Sequence, residues 1–355
     1  MIFNKKRNRP IAIDFGASTI KLMQVELGQP AKLLSACCVE MSEQERDNDP
    51  QRLDFYRSTL KRMLNAKMVK GRSAVISIPA HETIIQHFEI EGGSEDGIEL
   101  EIQMRLEQRL EQDMSDFVIR TLSTNKRMRE GKELTDVITV AVKKSTVYQY
   151  VSIAKSAGIN VSDVVPEPSS ICSMTNSQLE NEHADKTQCT VDIGSLRARL
   201  MIHQGSNVLY FKNINIDHRL WQDNREVDSE LQCEEPEIEP KNWSINQISQ
   251  SGNDTQCSNE AVECLADEIQ MCLRYYRSLY PQDVIKEITF TGGNSMQNEI
   301  CKELAVRLGI TVVISDPFKT LDLSELSKEK LIGLNADVPQ PGWNVPIGMC
   351  MSLAG

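Results

Sequence analysis

Ile11-Ala12-Ile13-Asp14-Phe15-Gly16-Ala17-Ser18-Thr19, near the start of the chain, is an apolar run that meets an acidic residue, then a glycine and small hydroxylated residues. The same order returns at Thr190-Val191-Asp192-Ile193-Gly194-Ser195. Each copy reads as a strand turning sharply into a hairpin. The glycine admits backbone close to a ligand, successive N–H groups and hydroxyls hold phosphate oxygens, and the aspartate holds a cation bound to those phosphates. Two such turns facing each other make a clamp. A third stretch, Glu287-Ile288-Thr289-Phe290-Thr291-Gly292-Gly293-Asn294-Ser295, is a strand ending in paired glycines before an amphipathic helix, where side-chain-free backbone lies flat against a base or sugar. Alone, each segment is an ordinary turn; the order and spacing of the three carry the reading.

A chain of 355 residues suggests two or more domains and is ample for a large core. The formal net charge of -12 argues against a general nucleic-acid binder, because no overall positive field collects phosphate backbones. Ten cysteines are scattered without a Cys-x-x-Cys pair or a secretory leader. Cys264 and Cys272 lie at helical spacing among Leu265, Ile269 and Leu273, so most cysteines read as small buried apolar residues in a reducing cytoplasm. No stretch approaches the apolar length needed to cross a bilayer, and the basic start Met1 to Pro10 reads as a solvated end. The five histidines are dispersed and form no metal or catalytic pattern.

Along the chain, Ile11 to Asp14, Ile20 to Glu26 and Ala31 to Glu40 are predicted as successive strands, followed by a helix from about Pro50 to Lys67 with Leu53, Tyr56, Leu60, Met63 and Leu64 on one face. Ser73 to Ile78 is a nearly continuous apolar strand, which suits a sheet covered on both faces. The repeat implies two βββαβ-type halves. Between Ala80 and Asp163 lies a module of its own, in which Gly92 to Gly97 opens a helix with Ile98, Ile102, Leu106 and Leu110 at every fourth residue. Phe117 to Ser123 and Asp136 to Val142 read as paired strands around the polar turn Met128 to Lys132, and Lys144 to Ala157 closes the unit as a second helix. Trp221 to Ser258 is polar, acidic and aperiodic, and is expected to be a mobile loop.

The ordered set resembles the actin, chaperone and sugar-kinase superfamily, and within it the type IV pilus assembly protein PilM family, related to the division protein FtsA. Carrying the resemblance are Ile13 to Leu22, Ser77-Ile78-Pro79, the acidic helix from Glu95, the strand Asp136 to Val142, Ala157-Gly158-Ile159 and Val164-Val165-Pro166-Glu167-Pro168. The resemblance implies an α/β fold of two RNase H-like, actin-like domains with a small α+β insertion subdomain. Residues 1–80 and 164–180 would form the first domain, 81–163 a peptide-docking subdomain, and 181–355 the second domain, with the polar acidic loop at 221–258.

It further implies ATP with Mg²⁺, Asp14 and Asp192 being the magnesium pair acting through ordered waters. Gly16, Ala17, Ser18, Thr19 and Lys21 would meet the phosphates from one side, and Gly194, Ser195 and Arg197 from the other. Gly292, Gly293 and Asn294 would border the adenosine. Glu167 is either the carboxylate that orients a hydrolytic water or one that complements a helix N-terminus. The implied partner is the cytoplasmic segment of a PilN-like membrane protein, docked at the cytoplasmic face of the inner membrane, with self-association open. Hydrolysis would be slow or absent, because no nucleophile with a base and no Ser/His/Asp order emerges; no glycine turn follows the second hairpin Arg199 to Ile216, a departure that weighs against nucleotide affinity. A nucleotide-free adaptor resembling GspL and a small-molecule kinase are the alternatives.

Overall fold

The computed structural model describes residues 9–91, 95–177, 186–195, 197–214, 260–295, 298–324 and 326–353. The acidic stretch 221–258, the glycines at 92 and 93 expected to open a helix, the basic residues 1–8, His183 and His218 lie outside the described residues.

The first apolar run forms β1 (Ile11–Phe15), buried throughout, and folds back as β2 (Thr19–Glu26) and β3 (Ala31–Glu40). Ser42 and Glu45 form a capping box on the short α1 (Glu43–Asp47). Asn48, accepting the Gln51 N–H at 3.1 Å with Pro50 in the first turn, starts α2 (Asp49–Asn65). After β4 (Ser73–Ser77) come β5 (Ile84–Glu91), α3 (Glu95–Leu110), β6 (Phe117–Arg129) and β7 (Lys132–Lys143). α4 (Lys144–Ser156), β8 (Asn160–Val165) and α5 (Glu167–Ser177) follow. The second half contains β9 (Thr187–Ile193), β10 (Ala198–Gln204), β11 (Asn207–Ile214), α6 (Glu260–Leu279), β12 (Glu287–Thr291), α7 (Asn298–Leu308) and β13 (Thr311–Ile314). Two short strands, β14 (Leu321–Asp322) and β15 (Leu331–Ile332), precede α8 (Asn344–Met351).

The first sheet has the order β14-β3-β2-β1-β4-β8, with β15 also on β3, and the second the order β11-β10-β9-β12-β13. In each, three antiparallel strands are followed by two parallel ones. The repeated motif is therefore a repeated fold. Ile11, Ile13 and Phe15 face Tyr56, Leu60 and Tyr150 under α2 and α4, whereas Ala12 points the other way, into a core with Ile347 and Met349 of α8. Coverage on both faces is why the run 73–78 reads as continuously apolar. Leu265, Ile269 and Leu304 of α6 and α7 cover one face of the second sheet. Met201, Val208 and Phe211 from its other face share a core with Met23, Val75, Ile171 and Ile347. The two halves thus meet across α5 and α8.

The inserted unit is a three-stranded sheet, β5-β7-β6. One face, with Phe88, Ile90, Val137 and Ala141, packs on Ile102 and Leu106 of α3; Ile138 on the other joins the core containing Val208 and Phe211. Asn207 donates to Asn125 at 2.6 Å across this contact. Glu130 and Gly131, at φ 52 and 81, make a two-residue hairpin turn, so β6 and β7 run longer than predicted. β5 has no counterpart among the predicted strands; its signal is the alternation of Phe88 and Ile90 with His87, Glu89 and Glu91. α4, predicted to close this unit, packs elsewhere: Tyr150, Ile153 and Ala154 enter the core beneath β1. It leads through Gly158, at φ 82, into β8, the parallel neighbour of β4, and so serves as the crossover that a parallel pair requires.

Burial pushes the Cys172, Cys301 and Cys350 thiols up to about 12, in keeping with inert apolar packing. Cys264, expected to be buried like Cys272, is exposed: it falls on the solvent side of α6. His203 is a satisfied core residue, donating from Nδ1 to the Gly205 carbonyl at 2.8 Å and accepting the Thr190 hydroxyl at Nε2 at 3.1 Å. Burial lowers its pKa from 6.5 to about 4, against a partial restoring effect of the Gly205 carbonyl. A base depressed in the folded state contributes stability above its unfolded pKa and loses it as pH falls toward the folded one. Denaturant titrations between pH 7 and 4 are expected to show up to about 3 kcal/mol more acid destabilisation for the parent than for His203→Gln.

Candidate functional site

Both copies of the motif close in the same way. Gly16 N–H donates to the Thr19 carbonyl at 2.9 Å, and Gly194 N–H to the Arg197 carbonyl at 3.0 Å. A Cβ on Gly16 would lie 3.2 Å from the Thr19 oxygen and one on Gly194 3.1 Å from the Arg197 oxygen, which is tighter than a side chain accepts without a shift. Tyr56, fully buried against Phe15 with ring centroids 5.1 Å apart, anchors the first turn by donating to the Gly16 carbonyl at 2.8 Å. The backbone amides of Ala17 and Ser18 have no backbone partner among the described residues.

Asp14 and Asp192, near the ends of the corresponding strands β1 and β9 of the two sheets, line one cleft of about 390 Å³ together with Glu167 and the three predicted loops. The two carboxylates therefore face one space. Asp14 accepts the Ser77 hydroxyl at 2.6 Å, and Ser77 Oγ in turn accepts the Phe15 N–H at 3.3 Å. Lys21 lies opposite Asp14 in the strand register, its Nζ 3.7 Å from Oδ2. Asp192 is held differently. Arg199 lies opposite it in register and hydrogen-bonds Oδ2, while its other terminal nitrogen reaches Glu167 Oε2 at 2.5 Å. The Glu167 Oε1 atom accepts the Ala80 N–H at 3.0 Å, so this carboxylate ties the start of α5 to both halves. Burial pushes Glu167 up, Arg199 pulls it back and Asp14 and Asp192 add to the rise, leaving it at about 7.

The third loop leans on the second. Gly292, at φ 92, packs so closely that an added Cβ would sit 2.4 Å from the Ile193 carbonyl and 2.7 Å from Asp192 Oδ1. Asn294 donates from its backbone to Ile193 at 3.1 Å and from its side chain to the Gly194 carbonyl at 3.0 Å. Gly293 borders the cleft opposite the segment Pro341-Gly342-Trp343, and a Cβ on Gly342 would lie 3.5 Å from Gly293 and 3.9 Å from Lys21 Nζ.

All of the predicted residues, Asp14, Gly16, Ala17, Ser18, Thr19, Lys21, Glu167, Asp192, Gly194, Ser195, Gly292, Gly293 and Asn294, line this one cleft. Arg46, His81, Arg199 and Gly342 line it too and were not anticipated. Arg199 had a signal, since it follows Asp192 at the same interval at which Lys21 follows Asp14. His81 and Gly342 had none.

Buried His81 ring nitrogens and Arg199 Nε lack hydrogen-bond partners among the described residues, and such atoms ordinarily have one. With the turn amides and the cations Lys21, Arg46 and Arg197, this is a donor set suited to a polyphosphate. The fit to magnesium is poor. One Asp192 oxygen is already engaged by the Arg199 guanidinium, so a metal shared between Asp14 and Asp192, as expected, would sit beside a fixed positive charge. Among the described residues, no group of three or more His, Cys, Asp and Glu side chains is arranged to hold a metal ion.

A chain of the solved PilM-PilN type IV pilus biogenesis complex is similar to this one at a TM-score of 0.68 and 15% identity, covering 98% of each chain. The ethanolamine utilization protein EutJ from Carboxydothermus hydrogenoformans gives a TM-score of 0.47 at 11% identity, over 97% of this chain and 89% of that one. The cytoplasmic domain of EpsL, an inner-membrane component of the type II secretion system of Vibrio cholerae, gives 0.41 at 14% identity, over 64% of this chain and 78% of that one. No curated protein matches. The fold is α/β, with two actin-like domains, and no helix among the described residues is long and apolar enough to cross a membrane. The family model for type IV pilus assembly protein PilM matches residues 12–351, and the chain belongs to that family.

Proposed function

We propose that this chain is a nucleotide-binding, actin-like scaffold of type IV pilus machinery that holds an extended cytoplasmic segment of a PilN-like inner-membrane partner. The observation that carries the nucleotide reading is the duplicated hairpin: two glycine turns from the two halves of the fold open onto one cleft, which the unpartnered His81 and Arg199 nitrogens also line. ATP is the expected ligand. The turns 16–19 and 194–197 would hold its phosphates, and Gly292, Gly293 and Asn294 would border its adenosine. Binding there touches both halves at once, so the ligand favours the closed arrangement by its preference for it, and the change is transmitted through α5 and α8, which lie between the sheets.

The partner reading is supported by family membership and by the similarity to the solved PilM-PilN complex. The inserted unit is the proposed docking element. Its α3 exposes Leu100 and Met104 four residues apart, 61% and 56% accessible, and its sheet ends in β5 and β6. Apolar positions and a strand edge are what an extended segment uses, main-chain hydrogen bonds giving affinity and side-chain pockets specificity. The protein would then be held at the cytoplasmic face of the inner membrane through that partner.

Arg197 is exposed on the second turn and has no ion-pair partner among the described residues, so its removal leaves the fold intact. Loss of one charge-assisted phosphate contact is expected to weaken ATP binding by Arg197→Ala about 10- to 100-fold in calorimetry, with unchanged melting. Unchanged affinity counts against the cleft as the nucleotide site. The nucleotide-free adaptor is the second reading, favoured by the Arg199 bridge across the cleft floor, and absence of any binding heat would select it.

A further inference from the structure

The two hairpins place a cation at the same point. Asp14 pairs with Lys21 in the β1–β2 register and Asp192 pairs with Arg199 in the β9–β10 register. Residues directly opposite in an antiparallel pair project from the same face, so each aspartate meets its cation by construction of the hairpin. The two cations are engaged differently. Lys21 stays 3.7 Å from Asp14, a loose pairing that leaves its charge facing the cleft. Arg199 is buried and lies within hydrogen-bond distance of both Asp192 and Glu167. A guanidinium fork suits two carboxylates at once and is charged at every accessible pH.

Magnesium needs near-octahedral oxygen ligands at about 2.0–2.1 Å, drawn from carboxylates, phosphates and waters. Arg199 already holds Asp192 Oδ2, so a dication approaching this carboxylate meets a fixed positive charge. Resting on the nucleotide reading above, we propose that Arg199 is a built-in cation in place of the divalent metal, so that the cleft takes a nucleoside triphosphate without Mg²⁺ and keeps it unhydrolysed as a closing ligand. Arg46 and Arg197, which have no ion-pair partner among the described residues, then supply the positive charge that the metal would have brought to the phosphates. Glu167, bonded to Arg199 and to the Ala80 amide, positions the arginine and does not address a water.

The test is calorimetric titration of the full chain with ATP in EDTA and in MgCl₂, alongside a phosphate-release assay. The dissociation constants are expected to agree within about threefold and phosphate release to stay at background. Affinity more than about tenfold weaker in EDTA, or phosphate release stimulated by Mg²⁺, overturns the inference while the nucleotide reading stands. No binding in either buffer overturns both. In Arg199→Gln the cation is gone and the two carboxylates remain, so binding is expected to become at least about tenfold tighter in MgCl₂ than in EDTA; a variant that binds equally in both overturns the proposal. Should that variant fail to fold, the paired titrations of the parent chain decide alone.

Discussion

Gly348→Ala is expected to lower the melting temperature of the chain by roughly 4 °C, the consequence of a loss of about 3 kcal/mol. A Cβ at this position would lie 1.9 Å from the Ser170 carbonyl oxygen, 2.6 Å from its carbonyl carbon and 3.0 Å from its Cα. All three are backbone atoms of α5. No side chain can swing aside, so α8 must retreat from α5. Retreat disturbs a core shared by both sheets, because Asn344 to Cys350 are all buried and Ile347 and Met349 pack with residues of the first sheet while Met201 and Phe211 approach from the second. Overpacking of a core costs about 1–3 kcal/mol, and a backbone contact stands at the upper end. The same substitution is expected to alter closure: nucleotide-induced compaction, followed by small-angle scattering, should be lost even where the fold survives at low temperature. A melting point unchanged within about 1 °C would show that the helices do not cross this closely.

Arg199→Met is the second large effect. The parent chain buries a guanidinium between Asp192 and Glu167; the variant keeps both carboxylates and removes the cation they share. Breaking a buried pair from one side costs about 3–5 kcal/mol, because the surviving charge is left uncompensated. Chemical denaturation should register that loss near neutral pH. In the variant Glu167, already raised by burial, loses the Arg199 charge that pulled it back, so the stability associated with its protonation is present at low pH and lost as pH rises. The difference between parent and variant is therefore expected to narrow from pH 8 to pH 5. The triple change Arg199→Met, Asp192→Asn, Glu167→Gln removes the stranded charges and is expected to recover most of the stability, a non-additivity that a purely steric role for Arg199 would not produce. Equal losses in the single and triple variants would rule out the electrostatic account.

Much of the architecture was legible because it is written locally. An apolar run ending in Asp-x-Gly with small hydroxylated residues specifies a strand and a tight return, and it does so twice; the register that sets Lys21 against Asp14 and Arg199 against Asp192 follows from turn length alone. The face of α2 carrying Tyr56, Leu60, Met63 and Leu64 is likewise a matter of helical period. The allocation of α4 was not legible. Tyr150 and Ile153 mark an apolar face equally suited to the inserted sheet, and only the parallel pairing of β8 with β4 directs it to the first domain.

By itself, the sequence determined the duplicated half-clamp, the interval from each aspartate to its cation and the membership of the third glycine loop in the same assembly, since backbone preference and strand register act over a few residues. Only the tertiary structure decided that Glu167 shares Arg199 with Asp192, that Gly292 has room for no side chain against Ile193 and Asp192, and that Gly348 sets the crossing of α8 on α5. Those outcomes depend on separations across many tens of residues and on a buried, weakly screening surround, in which a charge is compensated by whatever the packing brings within reach.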